Sequence, residues 1–387
     1  MNSEEKLRGL YTVWSEIKHY YPYKEKLENI DWEHLVDQFV APVLSAQSIQ
    51  NYYFELMKFI SFVNDGHTSV IPPWKYIVPG YSKPAIEVEI TDNVFKIVRV
   101  GRNEDLRLND IQINDHIVSV DDVEVNEYFN RINRMYARGS KQANDNINAY
   151  YLLSGPKEAN IKLGIFRDGK VRSVSLKRDC TDNGQFFMDS KLDVNPSYRI
   201  SLSNGVLNVI IKMFSDENLV TDFAAAIKDN QINEIHFDLR NSRGGRDELA
   251  YRLIEQIITE PLRGVKYKYL VSSKALNNWG VADEWRIFDR TIKPHNTTNF
   301  MGKVTISYDG ATGSSGEDFI VALSNRPNTF FQGALTAGSS GNPYSVELPY
   351  GGQLRVSTFI GLDSNGNEYV GIGFDPNKKA TAIESNL

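Results

Sequence analysis

A single cysteine stands in the 387 residues. An intramolecular disulfide is therefore excluded, and Cys180 has no metal-ligand spacing around it, so cysteine chemistry is set aside. No apolar run of about 18 residues occurs, which excludes a membrane-spanning helix. The opening MNSEEKLRGL lacks the basic and apolar regions of a secretory signal. Either the protein stays inside the cell or the chain has been trimmed, and the compartment is left open. An excess of positive charge is also missing: 43 Lys and Arg face 49 Asp and Glu, for a net charge of −6. A nucleic-acid footprint would have to be built against that balance. Internal repeats and low-complexity tracts are absent.

What is present, 41% hydrophobic and 24% charged residues, is the composition of a globular protein. The length exceeds one ordinary core and predicts two or three domains. The first 65 residues read as helices, because Leu7, Leu10, Trp14 and Ile17 recur at helical spacing, as do Ile49, Tyr53, Leu56, Ile60 and Val63. Pro22, and Pro42 after the segment Trp32 to Val40, punctuate them. The last helix runs into Asn64-Asp65-Gly66-His67-Thr68, where Gly66 suits the position just past a helix end and His67 begins a loop.

From about residue 78 to 180 short alternating strands take over, including Ala85 to Ile90, Val94 to Val98 and the run from Ile113 to Asp122. Ile161 to Phe166 and Val171 to Leu176 form a hairpin across Asp168-Gly169, a pair that takes the positive φ angles of a tight turn. An inserted helical stretch lies between, from about Asn130 to Gly155. The remaining half alternates strands (Val206 to Ile211, Ile232 to Leu239, Val304 to Tyr308) with helices marked by Phe223, Ala226 and Ile227, by Leu249, Leu253, Ile254 and Ile257, and by Phe319, Ile320 and Leu323. That alternation predicts an α/β domain.

Two strand-to-helix turns in this half carry unusual residues. In Asp238-Leu239-Arg240-Asn241-Ser242-Arg243-Gly244-Gly245, the paired glycines admit backbone conformations closed to other residues and can aim N–H groups at one point. In Asp309-Gly310-Ala311-Thr312-Gly313-Ser314-Ser315-Gly316-Glu317, Ser314 stands at the positive end of a helix dipole, where a developing oxyanion is favoured. On spacing alone, each turn also fits a plainer reading. The first is a Gly-rich loop, and the second a helix cap in which Ser314 and Glu317 form a capping box.

Taken together, these motifs resemble the tail-specific, C-terminal-processing serine peptidase family, which includes the tricorn core enzyme and the retinoid-binding repeats. The resemblance rests on Asp238-Leu239-Arg240 with Gly244-Gly245, on Ser314 with Glu317, on Gly333-Ala334-Leu335-Thr336-Ala337-Gly338, and on Gly373-Phe374-Asp375-Pro376-Asn377, which ends in Asn where the family has Asp. Asp65-Gly66-His67-Thr68 and a middle region resembling a PDZ domain extend it over nearly the whole chain, although Asn114-Asp115 replaces the usual Gly-Asp pair and no Gly-Leu-Gly-Phe loop is evident. The resemblance implies an N-terminal helical region (1–77), a PDZ-like β domain with a helical insertion (78–182) and an α/β, ClpP/crotonase-like peptidase core (183–387).

It also implies roles. Ser314 is the nucleophile, and the N–H groups of Gly244 and Ser315 form the oxyanion hole. In the family's bacterial branch a lysine after Thr-x-Gly is the base. Ser339 takes that place here, and no lysine occurs from Val304 to Asn377. In the tricorn-like branch the base is a histidine before the PDZ-like region, where His67 stands, and neutral imidazole can take the hydroxyl proton and return it to the leaving amine. Of the other histidines, His236 packs inside a strand, His116 lies in the PDZ-like strands, and His19, His34 and His295 have polar surroundings. The tricorn-type serine and glutamate that orient the histidine are replaced by Gly66 and Val370, with Glu317 or Glu368 as substitutes.

The expected function is a serine endopeptidase acting on peptide or protein substrates, including sites near C-termini, with no metal or organic cofactor. The alternative is a weak or inactive homologue that binds a peptide or an apolar ligand. A crotonase-like acyl enzyme is disfavoured by the PDZ-like middle. The oligomeric state is left open.

Overall fold

A computed structural model of the chain describes residues 1–73, 81–101, 104–133, 139–179, 197–229, 231–271, 278–295 and 300–377. Cys180 and the two domain boundaries read from the sequence, 77/78 and 182/183, lie outside the described residues. The chain divides into two compact units. The first holds Met1–Arg138, Asn144–Asn195 and Pro343–Val356; the second holds Gly139–Ala143, Pro196–Asn342 and Ser357–Leu387.

The first unit opens with the helix Ser3–Tyr20, where the Asn2 side chain accepts the Glu5 N–H at 2.7 Å, satisfying a donor that has no partner within the helix. Its buried stripe runs through Gly9, Leu10, Val13 and Ile17, while Leu7 and Trp14 are only partly covered. Gly9 lies in that stripe because a Cβ there would stand 1.8 Å from the Tyr52 hydroxyl. The helix Ile49–Ser61 contributes Tyr52, Tyr53, Leu56 and Phe59 to the same core, and Phe59 stacks on Trp32 at 4.4 Å. Two turn signals fall elsewhere than the sequence suggested. Pro42 sits within the helix Asp37–Ser45, and Asn64, not Gly66, takes the left-handed conformation beyond the helix Ile49–Ser61, at φ 47°. Asparagine tolerates that region through local hydrogen bonding. His67 then lies in the loop before the short strand Ser69–Ile71, which pairs antiparallel with Gly352–Val356.

The middle of the chain forms an antiparallel sheet. Its strands are Ile86–Thr91, Val94–Val100, His116–Val120, Asn160–Arg167 and Lys170–Lys177, in that order, and Val123–Glu124 pairs with His116–Val120. The hairpin at Asp168-Gly169 has φ 51° and 75°, as its turn residues require. Asn114, at φ 74°, stands where glycine would be expected. Buried Asp115 accepts from the Gln112 N–H and the Arg167 guanidinium. The helical insertion comprises Val125–Asn133 and Lys141–Tyr151.

The second unit is the α/β core. Its five-stranded sheet runs Tyr198–Ser203, Val206–Ile211, Glu234–Asp238, Lys303–Ser307, Thr329–Gln332, with the first pair antiparallel and the rest parallel. Leu207, Val209 and Ile211 alternate inward, as a half-buried strand demands. A separate sheet orders Glu284–Ile292, Leu262–Val271 and Ile360–Leu362. The helix Ser315–Leu323 is buried on every side. Phe319 in that helix packs edge-on against Phe237 at 4.9 Å and against Phe214 at 5.9 Å. Phe319→Ala should lower the stability of this unit by about 3–5 kcal/mol, the usual loss for a buried phenylalanine. Urea denaturation followed by circular dichroism measures it.

Candidate active site

Neighbouring parallel strands bring the two turns together. Asp238 is in register with Ser307, so the chains leaving the carboxyl ends of Glu234–Asp238 and Lys303–Ser307 start side by side, the position where α/β sheets place their sites. They are then joined residue by residue. The Thr312 hydroxyl donates to the Leu239 carbonyl at 2.8 Å, the Gly313 N–H to the Ser242 carbonyl at 3.0 Å, and the Asn241 N–H to the Asp309 carboxylate at 3.0 Å.

Ser314 sits at the end of this turn with φ 55° and ψ −129°. A positive φ on a residue with a Cβ is strained, by about 1–3 kcal/mol, and persists only where the surroundings enforce it. The neighbouring glycines show how close those surroundings are. A Cβ on Gly244, at φ 81°, would stand 2.5 Å from Ser314 Cβ and 2.9 Å from the Ser315 nitrogen, and one on Gly245, at φ 137°, would stand 2.4 Å from the Phe214 carbonyl oxygen. Among the described residues, neither the Gly244 N–H nor the Ser315 N–H has a protein acceptor. Two unspent donors flanking a strained serine at a helix N-terminus suit stabilisation of a developing oxyanion.

Glu317 lies beneath Ser314 and is fully buried. Its Oε2 accepts the N–H groups of Ser314 at 3.2 Å and Ser339 at 2.8 Å, and its Oε1 accepts the Gly338 N–H at 2.7 Å and the Thr336 hydroxyl at 2.5 Å. The Ser314 N–H also donates to the Ser339 carbonyl at 2.6 Å, so Ser339 stands beside the serine, where the sequence reading put the missing lysine. The closing motif locks onto the same segment. The Phe374 N–H donates to Thr336 Oγ1 at 2.7 Å, and the Gly371 N–H to the Gly338 carbonyl at 2.7 Å. Gly373, at φ 106°, leaves only 2.5 Å between an added Cβ and the Thr336 carbonyl oxygen. All four motifs thus meet around Ser314.

Glu368 is exposed, takes part in a backbone bridge with Leu362, and makes no hydrogen bond to Ser314 or Glu317. Val370 is buried. His67 belongs to the first unit, where its N–H and that of Thr68 donate to Asp65 Oδ1 at 2.9 and 2.7 Å, and buried Asp65 is also contacted by the Tyr21 hydroxyl. The loop carrying the imidazole is thereby fixed from its base. His236, expected only to pack, hydrogen-bonds Ser307 Oγ at 2.8 Å and Asn208 Oδ1 at 3.3 Å through its two ring nitrogens. This serine–histidine pair lacks the other parts of a site: Ser307 sits within a strand, and its carbonyl already accepts the Leu239 N–H.

Sequence reasoning missed the acids behind the serine helix. Asp247 Oδ1 lies 2.5 Å from Ser315 Oγ, and fully buried Asp318 accepts from the hydroxyls of Tyr251, Tyr267 and Tyr369. The only sequence signal was the run Glu317-Asp318 inside an apolar helix. Among the described residues, no group of three His, Cys, Asp or Glu could hold a metal ion, and no helix is long and apolar enough to cross a membrane.

Residues 205–380 match the profile described as peptidase family S41. Among solved structures, mature CPAF complexed with lactacystin aligns with TM-score 0.74 at 15% identity, covering 97% of this chain and 93% of that one. The photosystem II D1 C-terminal processing protease aligns with TM-score 0.53 at 14% identity, covering 96% and 92%. A putative peptidase from Parabacteroides merdae aligns with TM-score 0.51 at 16% identity, covering 97% and 88%. No curated protein matches the chain. The chain carries an S41 peptidase domain, and its fold is that of the S41 peptidases.

Burial is the main cause that pushes the Glu317 carboxyl up from its ordinary 4.5 to about 7, against the four donors that pull it down. In the interval between those values the folded chain keeps a proton that the unfolded chain has lost. The contribution of this group to stability is therefore full below about pH 4.5 and is lost as pH rises through about 7. Denaturation of the parent and of Glu317→Gln, compared pH by pH, should show a difference that changes across that window and is flat below it. Gly244→Ala should abolish reaction at Ser314, checked by active-site labelling, because its Cβ has no room beside the serine.

Proposed function

We propose that the protein is a serine endopeptidase that cleaves peptide or protein substrates, including sites near C-termini. The observation that carries this reading is Ser314 itself, strained at φ 55° at the start of a buried helix, with the unspent N–H groups of Gly244 and Ser315 beside it. In this mechanism Ser314 Oγ attacks the scissile carbonyl while His67 takes its proton. The Gly244 and Ser315 N–H groups receive the oxyanion, and the imidazolium then protonates the leaving amine. The acyl enzyme is released by water, with His67 again the base. Glu317 supports the site by fixing the backbone of Ser314, and Glu368 is the candidate for orienting His67. Substrate class follows from the S41 domain, and the D1 C-terminal processing protease, by its name, acts on a C-terminus.

The domain plan proposed from the sequence, 1–77, 78–182 and 183–387, gives the PDZ-like middle the task of engaging an extended substrate. The competing reading is a non-catalytic homologue that binds a peptide or an apolar ligand. It is favoured by Ser339 in place of the lysine and by Gly66 and Val370 in place of the orienting pair.

A fluorophosphonate probe separates the two. The parent should be labelled, Ser314→Ala should not, and His67→Ala should react about 100-fold or more slowly, the scale of a lost general base. Persistent labelling of Ser314→Ala removes the nucleophile assignment, and an unreactive parent favours the binding protein.

A further inference from the structure

The two oxyanion donors belong to different turns. Their N–H groups can serve one oxygen only if the turns hold a fixed spacing. Thr312 and Asp309 tie the starts of the turns together, and beside the two donors the Ser315 side chain does so: Ser315 Oγ lies 2.9 Å from the Gly245 carbonyl oxygen and 2.5 Å from Asp247 Oδ1. A serine hydroxyl has a single proton to donate. Both contacts are full two-centre hydrogen bonds only if Asp247 keeps its own carboxyl proton and donates it to Ser315 Oγ, which passes its hydrogen to Gly245. Among the described residues, the Gly245 carbonyl has no other donor.

The surroundings act in the same direction. Burial is the largest influence on Asp247 and raises its carboxyl above the ordinary value, while the Ser315 bond and the Arg290 charge act in the opposite sense. The groups facing it come from every side. Asp318 lies on the serine helix, Tyr251 on the helix Asp247–Ile254, Tyr267 on the strand Leu262–Val271, and Arg290 on the strand Glu284–Ile292. Arg290 is itself drawn over the Tyr251 ring, 4.5 Å from its centre. Asp318, fully buried and also raised, sets a second acid against any negative charge on Asp247.

We propose that Asp247 is a positioning residue of the oxyanion hole: as a neutral carboxylic acid it holds the Ser315 hydroxyl on the Gly245 carbonyl and so fixes the Gly244 and Ser315 N–H groups on one point. The proposal rests on the reading of Ser314 as the nucleophile. When Asp247 loses its proton, the Ser315 hydrogen turns to the carboxylate. The Gly245 carbonyl is then left without its donor, and the glycine turn loosens.

The test uses the full chain with Asp247→Asn and Asp247→Ala, and Ser314→Ala as control. Two quantities are measured: the rate of fluorophosphonate labelling across pH, and amide hydrogen exchange in the Gly244-Gly245 turn. A carboxamide can donate to Ser315 Oγ as the neutral acid does, so Asp247→Asn should label within about threefold of the parent at acid pH. The ratio of its rate to the parental rate should rise with pH, because asparagine cannot ionise. Asp247→Ala should label about tenfold or more slowly, with faster exchange in the turn. Parental labelling or unchanged exchange in Asp247→Ala overturns the proposal, as does Asp247→Asn reacting as slowly as Asp247→Ala. A parent that takes no label, or a Ser314→Ala variant that keeps it, refutes the nucleophile reading instead, and the exchange pattern still decides whether Asp247 holds the turn.

Discussion

Burying a carboxylate is costly unless hydrogen bonds replace the water it loses, and Glu317 meets that demand with donors from two separate segments. The Ser314 N–H comes from the strand-to-helix turn, and the Thr336 hydroxyl and the Gly338 and Ser339 N–H groups come from the Thr-x-Gly motif and the residue after it. The carboxylate is thus a pin through segments that no regular element joins. Without it the buried Gly338 N–H would lose its acceptor, at a cost of about 1–3 kcal/mol. Thr336 extends the pin one layer further, since its oxygen accepts the Phe374 N–H of the closing motif. The strained backbone of Ser314 is stable because this knot surrounds it.

The rest of the core exists to deliver the two turns to that knot. Parallel strands in register, Asp238 beside Ser307, start both turns from the same edge, and apolar packing of Phe214, Phe237 and Phe319 seats the serine helix against the sheet. Glycine at 244 and 245 is then a steric requirement, because the serine turn and the Phe214 backbone fill the space a side chain would need. Chemistry and packing share the same few residues. Changes at the turns should therefore be felt in reactivity before they are felt in the sheet.

Much of this was legible in the sequence. Alternation gave the strand Val206–Ile211 to the residue and the neighbouring strands within a residue or two, whereas the apolar markers of the helices identify a face and not an end. The four motifs around Ser314 were found by their order along the chain. What the sequence concealed depended on long-range pairing. Glu317 read equally well as a helix cap, since spacing cannot reveal donors 19 to 22 residues away. Asp247 and Asp318 carried no motif at all, because their roles come from the hydroxyls that the fold sets against them. The left-handed position beyond the helix Ile49–Ser61 went to Asn64 and not Gly66, a choice between two permissive residues that composition alone does not make. His236 was read as packing, and its bonds to Ser307 and Asn208 depend on strand register that only the sheet defines.

The central claim is that Ser314 is a nucleophile whose developing oxyanion is received by Gly244 and Ser315. The most direct measurement is a crystal structure of the protein after reaction with a fluorophosphonate. The account predicts a phosphonyl group on Ser314 Oγ with one phosphoryl oxygen about 3 Å from both the Gly244 and Ser315 nitrogens. A phosphonyl group on another residue, or one on Ser314 with its oxygen turned away from those two N–H groups, would contradict it.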